Sequence, residues 1–391
     1  MKNRLFTTLL VFLCCVCNLA AQEAIRILHG PYLQNLKDTE VTLVWTVNKP
    51  SVAWAELAPE DGSSFYRTER VKVFDATHGV KNVSQVHAVR ITGLKPGTSY
   101  RYRIFAQEVL SREGENVYYG NVAATSIYDG RGLKFTTNDA TKPTTSFVML
   151  NDIHGNSDYI PQLLKVADYE STDMVIYNGD MVSLLMDEEE LFKGFMDVSV
   201  ETFAAHKPMY YARGNHETRG LKASSFHTYF SPKEPNLYFT LRQGPVYFVF
   251  LDTGEDKPDS DIEYHGITDY DNYRTEQARW LEQVVRSDEF RQAPFKVVVA
   301  HMPPVPEEDM WHGQAEVMEK FVPILNKAGI DLMLCGHLHS YLHTEPSAKI
   351  AFPVVVNSSN TVLKGVVEDN HLKLGVIRMN GELVDTLTFG K

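Results

Sequence analysis

The sequence predicts two domains, an all-β domain followed by an α/β domain. Residues 25 to about 138 alternate apolar and polar residues in short runs separated by Pro and Gly turns, which is typical of half-buried β-strands. Residues 136–145, TTNDATKPTT, are polar and indicate a connecting loop. From residue 146, short apolar runs alternate with helix-compatible segments, the pattern of buried strands covered by helices.

The first residues have the features of an export signal. The basic segment MKNR precedes the apolar stretch LFTTLLVFLCCVC, which is short for a membrane span, and small residues follow in NLAAQ. We therefore expect residues 1–21 to be a signal peptide cleaved near Ala21. The mature protein would then be periplasmic, secreted or on the cell surface.

Cysteine usage agrees with export. Three of the four cysteines lie in the expected signal, so the mature chain keeps only Cys335 and has no disulfide framework. We interpret Cys335, in an apolar strand, as a buried inert thiol. Lipoprotein anchoring at Cys14, Cys15 or Cys17 is not expected, because these cysteines do not follow the small residue that such anchoring needs.

The charge of the chain argues against polyanionic partners. The formal net charge is −12, and it becomes −14 once the Lys and Arg of MKNR are removed with the signal. Such a charge disfavours nucleic acid or an anionic membrane surface as the main partner. No stretch after the signal is apolar and long enough to cross a membrane.

The N-terminal domain, residues 22–140, is expected to be a β-sandwich. TEVTLVWTV and SVAWAEL read as strands with NKP between them, and SQVHAVRITGL, SYRYRIFAQ and GLKFTT continue the pattern, separated by Pro and Gly turns such as KPGT. About seven short strands in a segment of this length are typical of such sandwiches.

The second domain, residues 145–391, is expected to contain buried strands and covering helices. The strands are SFVML, DMVIYNG, PMYYARG, VYFVFLD, FKVVVAH and DLMLCGH, and helices are predicted over 158–169, 187–199, 274–288 and 314–328. The C-terminal segment HLKLGVIRMNGELVDTLTF predicts a hairpin with its turn at NG.

Metal-ligand residue types follow almost every buried strand of the second domain. Alone, each has a simpler explanation, since an Asp after a strand often caps a helix and a His is often only hydrogen-bonded. Five such signals in order indicate a common crevice at the carboxyl ends of the strands. They are Asp152 with His154, Asp180, Asn215 with His216, His301, and His337 with His339.

All of these residues except His216 are taken as ligands, which gives three oxygen donors and four imidazoles and no thiolate. The ligands are Asp152, Asp180, Asn215, His154, His301, His337 and His339. Mixed nitrogen and oxygen ligation suits zinc, iron or manganese better than calcium or magnesium. Seven ligands are too many for one open catalytic ion, so we predict two divalent or trivalent transition-metal ions that share a carboxylate. The glycines of NGD, RGNH and CGH would let the backbone come close to the metals.

The order D-x-H, G-D, G-N-H-[ED], H and G-H-x-H resembles the calcineurin-like metallophosphoesterase superfamily over roughly residues 146–345. The resemblance implies a four-layer fold, with two sheets packed together and flanked by helices. It also implies two metal sites joined by Asp180. One would contain Asp152, His154, Asp180 and His339, and the other Asp180, Asn215, His301 and His337.

The resemblance further implies that a hydroxide between two ions attacks phosphorus. His216 would stabilise the phosphoryl oxygens or protonate the leaving oxygen, the alternative being that it orients Asn215. Asn215 would also contact substrate. Glu217 is expected to support the ligands rather than to act on substrate. Arg213 would contact phosphate or form an ion pair beside the site.

The N-terminal segments HGPYLQNLKDTEVTLVWTV and HAVRITGLKPGTSYRYRI resemble the fibronectin-III-like N-terminal domain of purple acid phosphatases. The second domain departs from that family twice. His154 stands in a block where those enzymes carry no histidine, and Ser183 stands at the position of their iron-binding tyrosine. The chain therefore resembles a relative of these enzymes that lacks iron–tyrosinate chemistry.

Two segments near the motifs leave alternatives open. The acidic segment 252–271 is interpreted as a solvated loop, the alternative being an insertion that brings Tyr264 or His265 near substrate. In PPVPEEDMWHGQ, Trp311 and His312 would line the pocket, or Trp311 would simply pack.

Taken together, the sequence predicts an exported, acid-phosphatase-like dinuclear phosphoesterase acting on small phosphoesters, with phosphomonoesters favoured. One alternative is a phosphodiesterase or nuclease of the same superfamily. The other is a cell-surface binding module with a vestigial metal site. A small phosphorylated substrate is expected, and nucleic acid is not.

Overall fold

The computed structural model of the chain describes residues 23–128, 132–230, 233–304 and 310–390. The expected signal peptide, residues 1–21, lies outside the described residues. None of the helices within the described ranges is at once long enough and apolar enough to cross a membrane.

The first part of the chain is all β, as expected. Except for a short hairpin of β4 and β5, its strands form one hydrogen-bonded set arranged around β2. The strands are β1 (Ile27–Gln34), β2 (Glu40–Pro59), β3 (Lys72–Phe74), β4 (Ala76–Thr77), β5 (Val80–Lys81), β6 (Ser84–Thr92), β7 (Ser99–Glu113), β8 (Asn116–Ala124) and β9 (Lys134–Thr136).

Strand β2 corrects one prediction, because the two strands expected on either side of NKP form one continuous strand. The first half of β2 pairs with β1 and β6, and the second half pairs with β3 and β7. The register shifts between Thr46 and Ser51, so the extended chain passes from one set of partners to the other. Asn48 fixes this passage, since its side-chain oxygen accepts from the backbone N–H of Arg26 at 2.8 Å.

The second part of the chain contains two six-stranded mixed sheets. Their strand orders are β12-β11-β10-β19-β20-β21 and β13-β14-β15-β16-β18-β17. The strands are β10 (Thr145–Leu150), β11 (Met174–Asn178), β12 (Met209–Ala212), β13 (Phe239–Gln243), β14 (Val246–Leu251), β15 (Phe295–Ala300), β16 (Leu332–Cys335), β17 (Leu342–Thr344), β18 (Val354–Val356), β19 (Thr361–Glu368), β20 (His371–Arg378) and β21 (Leu383–Gly390).

Helices occupy the predicted regions with shifted ends. One helical stretch combines α2 and α3 with two π-helical segments, Phe192–Met196 and Val200–Ala204. The α-helices are α1 (Tyr159–Val166), α2 (Glu188–Leu191), α3 (Asp197–Ser199), α4 (Phe226–Tyr229), α5 (Tyr270–Val284), α6 (Asp288–Gln292), α7 (His312–Lys320) and α8 (Val322–Ala328). The C-terminal hairpin turns at Asn380–Gly381, where Gly381 has a φ of 86°.

The cores confirm the four-layer arrangement. One apolar cluster lies between the two sheets and includes Phe147 and Phe248, whose rings meet edge to face at 5.6 Å. Two further clusters lie between each sheet and its helices, with Leu163 of α1 in one and Leu281 of α5 in the other. The buried β-branched and aromatic residues of the strands therefore face helices on one side and the partner sheet on the other.

The all-β part packs directly against the α/β part. The hydroxyl of Tyr102 donates to the backbone oxygen of Ala205 at 2.7 Å, and both groups are buried. Lys233 reaches Asp75 of the first part at 2.9 Å. His29 stacks on Phe192 with 3.9 Å between ring centroids. The contacts of Tyr102 and His29 support the helical stretch that lies over the first sheet.

Candidate metal centre

The carboxyl ends of parallel strands from both sheets meet at one edge of the α/β part. Strands β10, β11 and β12 run parallel in the first sheet, as do β14, β15 and β16 in the second. The candidate ligands lie on the loops that leave these ends: Asp152 after β10, Asp180 after β11, Asn215 after β12, His301 after β15 and His337 after β16.

Five of the seven candidate ligands have left-handed backbone conformations. Non-glycine residues with positive φ are uncommon, and they persist where the surrounding structure holds them. The sharp turns they make let each loop direct neighbouring side chains toward one point. The φ values are 53° at Asp152, 49° at His154, 54° at Asp180, 73° at His337 and 54° at His339.

The candidate side chains converge in two groups that share Asp180. One ligand atom from each member lies within 4.8 Å of those of all other members of its group. The amide oxygen of Asn215 lies 3.1 Å from Nδ1 of His337, beside the second group. The groups contain the side chains that the resemblance implies, while their role as ligands stays a prediction. They are Asp152, His154, Asp180 and His339, and Asp180, His301 and His337.

The two oxygens of Asp152 have different surroundings. Oδ2 accepts hydrogen bonds from the side chain of Asn151 at 2.6 Å and from the backbone N–H of His337 at 3.0 Å. Oδ1 is buried and has no hydrogen-bond partner, although it lies 3.3 Å from Nε2 of His339. A buried carboxylate oxygen without a donor is costly, and a bound cation would satisfy it.

The two ring nitrogens of His301 also have different surroundings. Its Nδ1–H donates to the backbone oxygen of Asn178 at 2.7 Å, which leaves Nε2 as the atom available to a metal. Nε2 is buried without a hydrogen-bond partner, 3.0 Å from Oδ2 of Asp180. With the free oxygen of Asp152, this nitrogen shows that the residues present fit a metal-binding role.

Charge in this cluster is also unusual. Burial favours neutral His301, but the adjacent Asp180 carboxylate outweighs burial and raises the pKa of His301 to about 10. Burial, together with the charge on His301, lowers the pKa of His337 to about 4. A cation between these groups would take over the role of the His301 proton, so metal binding should release a proton.

Glycines allow the loops to approach closely. A Cβ on Gly179, which has a φ of 80°, would lie 2.4 Å from Nδ1 of His301. A Cβ on Gly214 would lie 2.2 Å from Oδ1 of Asp180. The glycines of these motifs therefore make room for the candidate ligands and for the neighbouring loop.

Glu217 organises the loop that carries Asp180. Its buried carboxylate accepts from the backbone N–H groups of Asp180, Met181 and Gly214 at 2.9, 2.7 and 2.9 Å. The hydroxyl of Tyr211 donates to it at 2.9 Å. Burial, and then the charge on Asp180, raises the pKa of Glu217. This geometry is that of a supporting residue, since both carboxylate oxygens already accept hydrogen bonds from the surrounding loops.

His216 presents one ring nitrogen to the cluster. Its backbone N–H donates to Oδ1 of Asp180 at 2.9 Å, and its Nδ1–H donates to the backbone oxygen of Ser183 at 2.8 Å. Nε2 then lies 3.9 Å from Oδ2 of Asp180, on a side chain that is 27% exposed. When protonated, this nitrogen can donate to an oxygen bound in the crevice. Ser183 also lies beside the site, its hydroxyl 3.3 Å from Nδ1 of His154.

Asn215 is held by a residue that the sequence reasoning missed. Its amide nitrogen donates to Oδ2 of Asp256 at 3.3 Å, which turns its amide oxygen toward His337. Arg219 pairs with Asp256 at 3.0 Å and with Glu255 at 2.6 Å. No sequence signal marked Asp256, because it lies in an acidic segment far along the chain from Asn215.

The structure corrects the solvated-loop interpretation for residues 252–256 of segment 252–271, whereas most of residues 257–271 are exposed or half-buried. Asp252, Thr253, Glu255 and Asp256 are buried. Arg213, which the sequence offered as a phosphate contact or an ion pair, is buried and paired with Asp252 at 2.9 Å. Of the two alternatives for Arg213, the structure shows the ion pair, because the Asp252 carboxylate already neutralises its charge.

The remaining candidates lie outside the two groups. His312 pairs with Asp271 at 2.8 Å, and Trp311 is half exposed. Tyr264 and His265 line a cavity beside the centre. Cys335 is buried, and burial raises the pKa of its thiol, as expected for an inert position.

The fold and the site define a protein of the metallophosphoesterase class. Residues 145–341 match the family of calcineurin-like phosphoesterases, and residues 31–119 match the purple acid phosphatase N-terminal domain. The chain belongs to the calcineurin-like phosphoesterase family. These matches confirm the fold and the family that the sequence motifs predicted, including the purple acid phosphatase-type N-terminal domain.

Relatives with similar sequences include purple acid phosphatases of Arabidopsis thaliana. Purple acid phosphatase 21 is 24% identical over 284 residues, covering 69% of this chain and 56% of the relative. Purple acid phosphatase 15 is 26% identical over 322 residues, covering 74% and 52%. The chain thus spans about half the length of these relatives. The solved structure of TT1561 of Thermus thermophilus is 14% identical, covers 62% of this chain and 98% of its own, and has a TM-score of 0.40.

Proposed function

We propose that this chain is an exported, dinuclear metal-dependent phosphoesterase that hydrolyses small phosphomonoesters. The observation that carries the proposal is a pair of buried ligand atoms that make no hydrogen bond, Oδ1 of Asp152 and Nε2 of His301, inside a convergent cluster of carboxylates and imidazoles. A vestigial site would have no reason to retain such costly groups. The export signal, residues 1–21, and the domains 22–140 and 145–391 are part of the proposal.

The proposed ligands form two adjacent metal sites. Asp152, His154 and His339 would hold one ion, Asn215, His301 and His337 would hold the other, and Asp180 would bridge them. Bound iron, zinc or manganese would supply Lewis acidity toward phosphoryl oxygens and lower the pKa of the attacking water.

The other residues would position these ligands and the substrate. Asn151 and Asn178 hold Asp152 and His301 by the contacts described above, and Glu217 fixes the loop of Asp180. His216, as an imidazolium, would donate from Nε2 to a phosphoryl oxygen or give its proton to the leaving oxygen. Its Nδ1 contact with Ser183 holds the ring in the orientation that this role needs.

The charges beside the centre favour a small substrate over a nucleic acid. Arg213 and Arg219, the cations of the adjoining cavity, are already neutralised by Asp252, Glu255 and Asp256. A polymer-binding groove needs several unpaired cations, and affinity then falls steeply with salt.

Hydrolysis by the mature protein, loaded separately with zinc, manganese or iron, tests the proposal. We expect phosphomonoesters to be cleaved faster than bis-substituted esters, with a KM that changes little with salt. Chelation should abolish hydrolysis, and added metal should restore it. Faster cleavage of diesters or of long DNA would favour the phosphodiesterase alternative. Absence of hydrolysis with every metal tested would favour the cell-surface binding module.

A further inference from the structure

A cavity of about 1010 Å³ opens beside the metal centre. Leu184 and Met186 line it on the loop that follows Asp180, and Leu221 lines it on the segment that follows His216. Backbone hydrogen bonds of 2.9 Å join the two segments, from Leu185 to Arg219 and from Lys222 to Leu185. The walls of the cavity therefore continue the loops that carry the proposed active-site residues.

The cavity begins one residue from a direct contact of His216. The Nδ1–H of His216 donates to the backbone oxygen of Ser183, and Leu184 is the next residue. Successive Cα atoms are about 3.8 Å apart, so the backbone of Leu184 lies close to this imidazole. A phosphoester whose phosphoryl group contacts His216 would thus have its organic group within reach of the cavity.

Accessible apolar side chains line much of the cavity, beside polar ones such as Ser224, Thr268 and Asn272. Leu184 is 41% exposed, Leu221 is 79% exposed and Ile267 is 89% exposed. Tyr264 and Tyr270 also line the cavity. Concave apolar surfaces of this size, next to a few polar groups, are typical of small-molecule binding sites.

The charges of the lining disfavour an anionic group. Its two arginines, Arg213 and Arg219, are held in ion pairs with buried carboxylates, as described above. Asp269 and Glu276 also line the cavity and add negative charge. A second phosphate or a carboxylate would meet no unpaired arginine there, whereas an uncharged apolar group would keep these ion pairs intact.

We infer, on the basis of the proposed phosphoesterase function, that this cavity binds the organic group of the substrate and selects an uncharged, apolar one. Alkyl and aryl phosphomonoesters fit this description, and esters of sugars or of other highly polar alcohols do not. The cavity would set KM, while the metal centre and His216 would act on the phosphoryl group.

A homologous series from ethyl to octyl phosphate tests the inference, because the leaving alcohols are chemically alike. For metal-loaded mature protein, KM should fall about two- to fourfold per added methylene until the cavity is filled, the range for partial to full burial of a CH₂ group. Ile267→Asp and Leu221→Asp should reduce the octyl-to-ethyl ratio of kcat/KM at least about tenfold, the loss of roughly two such methylenes. Leu383→Asp, at an exposed position on the distant strand β21, should keep the full ratio.

Calorimetric binding of the matching alkyl phosphonates, which are not hydrolysed, separates this inference from the proposed function. Hydrolysis of all chain lengths with the same KM would overturn the cavity assignment and leave the phosphoesterase function standing. No hydrolysis, with phosphonate affinity that still rises with chain length and falls in Ile267→Asp, would overturn the function and support the assignment. An unchanged ratio in both Asp variants would overturn the assignment.

Discussion

Oδ1 of Asp152 and Nε2 of His301 lie 4.0 Å apart in the protein interior, and neither has a hydrogen-bond partner. The two atoms come from different sheets, since Asp152 follows β10 and His301 follows β15. An unsatisfied buried polar group costs about 1–3 kcal/mol. The metal-free protein therefore carries a cost at the contact of its two sheets that a cation would remove.

Metal should raise the melting temperature of the protein. A ligand that binds only the folded state at about 100 times its Kd stabilises by about 2.7 kcal/mol. We expect calorimetry to give a Tm several degrees higher for the metal-loaded protein than for the chelated one. Asp152→Asn should lose most of this rise, whereas Asp158→Asn, a nearby exposed position, should keep it. Equal melting of loaded and chelated wild type would contradict the fit of the site to metal.

Glu217→Gln should weaken both the fold and metal binding. The amide would direct N–H groups at the backbone donors that the carboxylate now accepts from, so we expect a loss of about 2–4 kcal/mol of unfolding free energy. Urea unfolding and metal titration measure the two effects. Glu189→Gln, at an exposed glutamate, is the matched control. Wild-type metal affinity in Glu217→Gln would show that the loop of Asp180 does not depend on this carboxylate.

The candidate ligands of the metal centre can be predicted from the sequence because each of the five motif blocks follows its own buried strand. The supporting contacts are not predictable in this way. Asp256 and Asp252 hold Asn215 and Arg213 across about forty residues of chain, and no local pattern marks such pairs. For the same reason, the acidic character of segment 252–271 predicts a solvated loop, which is wrong for its buried first residues, 252–256. The sequence divides strand β2 at NKP because a proline usually ends a strand, whereas here it lies where β2 changes partners.

His216→Ala should lower kcat by about 10²–10⁴-fold, the range for a positioned acid or base, and leave metal content near normal. The loss should shrink for esters with acidic leaving groups, which need no proton. Steady-state kinetics over a leaving-group series measures this dependence. An equal loss for good and poor leaving groups would indicate that His216 stabilises the phosphoryl oxygens instead. Loss of bound metal would indicate a role in orienting Asn215.

The iron-loaded protein should show no visible tyrosinate-to-iron absorption. Ser183, rather than a tyrosine, lies beside His154. Tyr211 is buried and donates to Glu217, and burial raises its pKa, which opposes its conversion to a ligand. An absorption spectrum of the iron-loaded protein tests this expectation. A visible band that disappears in Tyr211→Phe would contradict it.

The number of metal ions bound per chain tests the central claim most directly. Elemental analysis of the mature protein should give two ions for the wild type and for Asp158→Asn. Asp180→Ala should bind at most one ion tightly, because Asp180 belongs to both ligand groups. Two tightly bound ions in Asp180→Ala would contradict a shared carboxylate. A wild type that binds no transition metal yet hydrolyses phosphoesters fully would contradict the dinuclear centre itself.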